Sequence, residues 1–160
     1  MKLIIADSND IIRIGLRTIL SSQKDIQIVA ESRSAIELKS QLNSFEVDIV
    51  ILDFTSVGFT VDIVQDIKKI NPKIEVVAIT PDQNATTLLD AIKIGVKSYI
   101  KKDCDFSEII NSVSETYAGN RFFCGQVLET IQRAAIDLND IDEEGLSCSE
   151  VVLSEREIEI

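Results

Sequence analysis

Four residues far apart in the chain stand where short apolar runs end: Asp7, Asp53, Thr80 and Lys102. Asp7 closes Leu3-Ile4-Ile5-Ala6, and Asp53 closes Val47-Asp48-Ile49-Val50-Ile51-Leu52. Thr80 follows Val76-Val77-Ala78-Ile79, and Lys102 ends Tyr99-Ile100-Lys101. Runs of this kind predict buried strands. A carboxylate at the mouth of such a strand costs free energy unless it is solvated, paired or used. In a parallel sheet all four would meet at one edge, the edge where open α/β folds bind ligands. An aspartate carboxylate can take a phosphoryl group as an acyl phosphate. Lys102 and a bound Mg²⁺ would offset the phosphoryl charge, and the Thr80 hydroxyl would donate to a phosphoryl oxygen. Asp7, Asp53 and the backbone carbonyl of Thr55 are the candidate Mg²⁺ ligands. Taken singly, each residue has a plainer use: Asp53 as a loop acid or helix cap, Thr80 before Pro81 as the start of a turn, Lys102 beside Lys101 as a solvated pair. Tyr99 alone would be an ordinary core aromatic.

The elements that must position these residues alternate along the chain. Strands are predicted near Lys2–Ala6, Ile26–Ala30, Asp48–Leu52, Glu75–Ile79 and Ser98–Lys101. Between them run apolar stripes at helical spacing: Ile11, Ile12, Ile14, Ile19 and Leu20; Ile36, Leu38 and Leu42; Ile63, Ile67 and Ile70; Leu88, Leu89 and Ile92. Asn9 or Asp10 can cap the first helix and Asn84 the fourth, while Asn71-Pro72 and Gly95 end the third and fourth. A fifth helix is expected from about Phe106 to Ala118, facing inward with Phe106, Ile109, Ile110, Val113 and Tyr117. A further helical stretch runs from about Gly125 to Ala135. Strands alternating with helices predict a parallel sheet covered on both faces. From Asp137 to Glu150 the composition turns acidic without a clear period, which reads as a tether.

The charge balance, 16 basic against 27 acidic side chains for a net −11, opposes a grip on nucleic acid through phosphate contacts by this piece. With no histidine, Ser-His-Asp and Cys-His catalysis and histidine metal sites are excluded. Cys104, Cys124 and Cys148 lack metal or redox spacing and are expected to be reduced packing residues of a cytoplasmic protein. The opening Met1-Lys2 leads directly into a strand, unlike a signal or transit peptide, and no apolar run reaches the ~20 residues of a membrane helix.

Residues 1 to about 135 resemble the receiver domain of two-component response regulators, most of all the NarL/FixJ class. The resemblance lies in Ile5-Ala6-Asp7-Ser8-Asn9-Asp10-Ile11-Ile12-Arg13-Ile14-Gly15-Leu16, in Asp53, in Thr80, in Gly95-Val96-Lys97-Ser98-Tyr99-Ile100-Lys101-Lys102-Asp103, and in Tyr117-Ala118-Gly119-Asn120-Arg121-Phe122-Phe123. Leu153-Ser154-Glu155-Arg156-Glu157-Ile158-Glu159-Ile160 is similar to the first helix of a LuxR-type helix-turn-helix. The resemblance implies a flavodoxin-like (CheY-like), doubly wound five-stranded parallel sheet of order 2-1-3-4-5 with an extra C-terminal helix. It implies a receiver domain over 1–120, a helical extension over 121–136, an acidic linker over 137–152, and over 153–160 the start of a DNA-binding domain. Asp53 would be the phosphoacceptor, Lys102 the phosphate-binding lysine, and Thr80 and Tyr99 the switch pair. The cofactor would be Mg²⁺. The partners would be a sensor histidine kinase, a second copy in a homodimer, and DNA only through the domain beyond this chain; no membrane is implied.

Two departures from that pattern matter. The usual pair of acids after the first strand is Asp7-Ser8 here, and a neutral hydroxyl is a poor Mg²⁺ ligand beside a carboxylate. Ser8 is therefore a weakened metal position, which Asp10 could partly offset. The loop Thr55-Ser56-Val57-Gly58-Phe59 also lacks the family's proline. These departures motivate a rival expectation, a degenerate receiver that works as a phosphorylation-independent interaction module. A dehalogenase-type phosphatase would need a second aspartate where Thr55 stands, and a flavodoxin would need a hydroxyl- and glycine-rich loop after the first strand.

Overall fold

The computed structural model describes residues 1–133. The expected linker and helix-turn-helix start lie outside the described residues, as does Cys148. Five strands alternate with helices: β1 Lys2–Ala6, α1 Asp10–Ser21, β2 Gln27–Ser32, α2 Ala35–Ser44, β3 Ile49–Leu52, α3 Ile63–Ile70, β4 Glu75–Thr80, α4 Ala85–Ile94, β5 Ser98–Lys101, α5 Phe106–Tyr117 and α6 Gly125–Arg133. All strand pairs are parallel, in the order β2-β1-β3-β4-β5. That is the expected doubly wound sheet. Right-handed crossovers put α1 and α5 in contact on one face and α2 beside α3 on the other.

The central strands explain why the sheet holds together. All four residues of β3 are buried, as are Val76–Thr80 of β4. Each fully buried aliphatic side chain contributes about 1.5–3 kcal/mol, which favours continuous apolar runs in strands covered on both faces. Polar residues can enter only where the ladder ends, and that is where Asp7, Asp53 and Lys102 stand.

Helix ends follow the expected capping chemistry. The Asn9 side chain accepts the N–H groups of Ile11 and Ile12, and Asn84 accepts that of Thr87. Gly95 closes α4 at φ +129°, a conformation few side chains tolerate. The helix faces depart from the expected stripes. On α1 the buried positions are Arg13, Leu16 and Leu20, while Ile11 and Ile14 are exposed. Ile36 on α2 and Phe106 and Tyr117 on α5 are exposed as well, and Ile109, Ser112, Val113 and Thr116 face inward. The reason is positional: polar side chains that find partners take inward positions, as Thr116 does with Ser98 at 2.6 Å. Beyond α5, α6 packs on α4 and β5 and buries Val127, Leu128 and Ile131.

Candidate functional site

Backbone bonds across the sheet bring the four strand ends into register. The Asp7 N–H donates to the Ser32 carbonyl at 3.0 Å, Asp53 N–H to Ala6 at 3.0 Å, and Lys102 N–H to Thr80 at 2.8 Å. Each residue just past its strand is thereby tied to the neighbouring one. The result is a cluster of three charges. Lys102 Nζ lies 2.9 Å from Asp7 Oδ2 and 2.6 Å from Asp53 Oδ2. Both aspartates are only 2% exposed. Lys101, one residue earlier, turns away to Asp82 at 3.4 Å, so the two lysines take opposite sides as strand geometry requires.

Each carboxylate divides its oxygens between loop and lysine. Asp53 Oδ1 accepts the Thr55 N–H at 2.8 Å and the Thr55 hydroxyl at 2.6 Å. Asp7 Oδ1 accepts the Asn9 N–H at 2.8 Å. Two buried carboxylates thus share one ammonium and leave a net negative charge. Burial alone would lower the Lys102 pKa, but hydrogen bonds to Asp53 and Asp7 and their charges outweigh it and hold the ammonium above the usual lysine range. Two carboxylate oxygens facing one cation form an oxygen-only donor set of the kind that suits a hard divalent ion such as Mg²⁺.

Thr80 and Tyr99 meet under this cluster. The Thr80 hydroxyl donates to the Pro81 carbonyl at 2.8 Å and lies 2.7 Å from the Tyr99 hydroxyl. A threonine hydroxyl has one proton, so Tyr99 is the donor in the second bond. Tyr99 is fully buried with its ring edge against Phe54, centroids 6.0 Å apart. Burial first, and the Asp53 charge next among the raising influences, push its phenol well above the usual tyrosine range. The Tyr99 ring thus occupies the inward position in this structure. A buried phenol needs a hydrogen-bond partner, and Thr80 supplies it.

Ser8 lies beside the cluster, half-buried, with its N–H donating to Ser56 Oγ at 3.3 Å. Thr55 is exposed in the loop after β3, and it is its hydroxyl and N–H that reach Asp53. Asp10 does not join the carboxylates. Its carboxylate pairs with Arg13, which removes the compensation expected for Ser8. The absent proline of that loop is replaced by turn bonds, Ser56 N–H to Asp53 at 3.3 Å and Phe59 N–H to Ser56 at 3.1 Å, with Gly58 at φ +91°.

Sequence reasoning missed Arg13. Its side chain is 5% exposed, donates to the Asp7 carbonyl at 2.6 Å and lies 3.5 Å from Glu31. It therefore fixes the backbone that carries Asp7. The available signal was its place at i−3 to Leu16 and i−7 to Leu20, on the buried face of α1.

Residues 3–114 match the family described as the response regulator receiver domain. The whole chain is 29% identical to the response regulator protein VraR of Staphylococcus epidermidis, spanning 73% of that protein. Its fold is similar to a LuxR-family two-component response regulator from an Aurantimonas species, with TM-score 0.79 at 22% identity over 85% of this chain and 98% of that one. It is also similar to the isolated receiver domain of RcsB from Salmonella enterica serovar Typhimurium, solved with a beryllofluoride phosphomimetic, with TM-score 0.76 at 19% identity over 82% of this chain and 98% of that one.

Proposed function

Because the chain belongs to the response regulator receiver domain family, we propose that Asp53 accepts a phosphoryl group from the phosphohistidine of a sensor kinase and that this event controls an attached LuxR-type DNA-binding domain. The observation that carries the proposal is the shared lysine: two buried carboxylates converge on one ammonium at 2.6 and 2.9 Å. That surplus of negative charge is expensive to keep, and a phosphoacceptor site has a use for it.

In the transfer, a carboxylate oxygen of Asp53 forms a bond to phosphorus as the phosphorus–nitrogen bond of the donor breaks, and the leaving imidazole is protonated. Asp53 is reached by displacing Lys102 and Thr55, both at the surface side of the cluster. Lys102 then moves its ammonium from carboxylate to phosphoryl oxygen. Asp7, Asp53 and the Thr55 carbonyl would hold Mg²⁺, with Ser8 as the weak position. When bound, the ion neutralises charge that builds on the phosphoryl oxygens. Thr80 has to give up its bond to the Pro81 carbonyl before its proton can reach a phosphoryl oxygen, while Tyr99 can keep donating to it. The switch step is then a hydroxyl rotation coupled to the turn at Pro81. Slow self-catalysed transfer from small phosphodonors and slow hydrolysis of the acyl phosphate belong to the same reading. So do a homodimeric active form, a linker over 137–152 and a cytoplasmic location. Among the described residues no helix is long and apolar enough to cross a membrane.

Ser8 favours a second reading, an interaction module that takes no phosphate, because it leaves the metal one carboxylate short. Acetyl phosphate with Mg²⁺, followed by intact-mass measurement, separates the two. Addition of one phosphoryl group to the wild type and none to Asp53→Asn supports the acceptor. An unchanged wild-type mass over a range of Mg²⁺ concentrations supports the module.

A further inference from the structure

Two thiols that the sequence keeps 20 residues apart meet next to the switch. Cys104 lies in the turn between β5 and α5, two residues past Lys102, and its N–H donates to the Lys101 carbonyl at 3.1 Å. Cys124, 1% exposed, stands at the entry of α6 and donates its N–H to the Tyr99 carbonyl at 3.3 Å. Glu108 brings a carboxylate from the first turn of α5. The two sulfurs and a Glu108 carboxylate oxygen all lie within 4.8 Å of one another. Among the described residues no hydrogen bond or ion pair holds that carboxylate.

We propose that Cys104, Cys124 and Glu108 form a site for a thiophilic divalent cation of the Zn²⁺ or Cd²⁺ kind, which fastens the entry of α6 to the turn after β5. Zn–S bonds of about 2.3 Å and a Zn–O bond of about 2.0 Å place tetrahedral ligand atoms about 3.5–3.8 Å apart, so the three atoms need to close by at most about 1.3 Å. Two thiolates and one carboxylate supply three negative charges and leave a fourth position for water. Sulfur ligands reject Mg²⁺ and Ca²⁺, which prefer oxygen. The carboxylate cluster at the phosphoacceptor has the opposite preference, so the two places sort two kinds of ion. Burial, and then the neighbouring Cys124 thiol, raise the Cys104 pKa to about 12, so without a metal this thiol is no nucleophile at neutral pH. An ion here would bind both ends of the segment that brackets Tyr99: Cys104 follows β5, and residues 122–124 pair with Tyr99 through Phe122 and Cys124. Its expected effect is to stiffen that segment and the docking of α6.

The test is a Co²⁺ titration of the reduced 160-residue chain in excess Mg²⁺, read by thiolate-to-cobalt charge-transfer and tetrahedral ligand-field bands. One equivalent should saturate the bands, and Zn²⁺ should abolish them. Cys104→Ser and Glu108→Gln should each weaken binding roughly tenfold or more. Cys104 is half-buried in a turn, so its serine variant keeps the fold, which circular dichroism checks; Cys124→Ser is the more disruptive confirmation. Cys148→Ser and Asp53→Asn should bind like wild type, which separates this site from the phosphoacceptor. Zn²⁺ should raise the melting temperature of the wild type and leave that of Cys104→Ser unchanged. Any of four results overturns the proposal: no bands, bands that survive Cys104→Ser, bands lost in Cys148→Ser, or two hydrogens lost from the intact mass as a Cys104–Cys124 disulfide under the titration conditions.

Discussion

The two edges of the sheet both carry charge, and they treat it in opposite ways. At the amino edge Glu75 has two lysines, Lys68 at 2.6 Å and Lys97 at 3.8 Å, all with a quarter or so of the side chain in water. Asp48 there accepts the Lys2 N–H at 2.7 Å, and Lys2 pairs with exposed Glu46. Acids at that edge are matched, hydrated and replaceable. At the carboxyl edge the ratio is inverted: Asp7 and Asp53, both almost fully buried, share Lys102. A hollow of about 510 Å³ lies at the amino edge among Leu42, Phe45 and Ile74, yet no buried charge faces it. This hollow and the buried charge therefore lie at opposite edges, and it is the uncompensated burial of charge on which the proposed site rests.

If that contrast is right, acids at the two edges respond to neutralisation with opposite signs. The largest effect belongs to Asp53→Asn. It should abolish labelling by acetyl phosphate and, without Mg²⁺, raise stability by about 1 kcal/mol, because the like charge beside Asp7 disappears while Lys102 keeps a partner. Urea denaturation measures the second effect. A loss of stability in Asp53→Asn would mean that the carboxylate is paid for by Lys102 and Thr55 alone, and the contrast would fail. Lys102→Ala should follow, lowering the labelling rate about 10²–10³-fold through loss of the charge that follows the phosphoryl group. It should also destabilise the protein, since two buried carboxylates then lack any cation.

Much of this edge was legible in the sequence. Apolar runs ending in Asp7, Asp53, Thr80 and Lys102 predict both the strands and their common edge, because the side chains that end a buried strand are the only ones free to differ. Register carried the rest: once β1, β3, β4 and β5 are parallel, their ends coincide. Helix faces were less legible. Ile11, Ile14, Ile36, Phe106 and Tyr117 look like core and are exposed, whereas Arg13 looks like surface and is buried. Hydropathy ranks side chains by type, and Arg13 is inside because the Asp7 carbonyl, Asp10 and Glu31 satisfy its guanidinium. Nor could spacing reveal that Cys104 and Cys124 meet. Their partner relation passes through β5, α5 and the turn at Gly119, with glutamate rather than cysteine as the third donor.

Ser8→Asp sharpens the contrast from the other side. A third carboxylate facing one lysine should cost about 1 kcal/mol without Mg²⁺. With Mg²⁺ the sign should reverse: affinity should rise roughly tenfold, which stabilises by about 1.4 kcal/mol at saturating metal. Melting curves with and without Mg²⁺ read both effects, and curves that do not cross would show that Ser8 is not at the metal position.

Alkaline pH probes the buried Thr80–Tyr99 pair. Tyr99 and Lys102 both hold their protons more tightly in the folded chain than in the unfolded one. Their contribution is fully present below the unfolded values, about 10 for both groups, and is lost as pH rises toward the folded ones. Stability should therefore fall from about pH 10 upward. Tyr99→Phe should flatten that fall while lowering stability at pH 7 by about 1 kcal/mol, the cost of leaving Thr80 without its donor. An equally steep alkaline loss in Tyr99→Phe would assign the effect elsewhere.

The smallest expected effect lies at the amino edge, and it completes the comparison. Glu75→Gln removes a carboxylate that Lys68 and Lys97 both face. Lys68 keeps its bond to the Ile74 carbonyl at 2.5 Å, so the lysine is not stranded. A partly hydrated pair with that fallback should be worth about 0.5–1 kcal/mol, diminishing in salt. Labelling of Asp53 should be unchanged, since the whole length of β4 separates Glu75 from Thr80. Neutralising an acid thus destabilises at the amino end of β4 and stabilises just past the carboxyl end of neighbouring β3. Urea denaturation of Glu75→Gln beside Asp53→Asn, at low and high salt, tests that reversal, and equal signs for the two variants would mean that burial and shared pairing do not distinguish the edges.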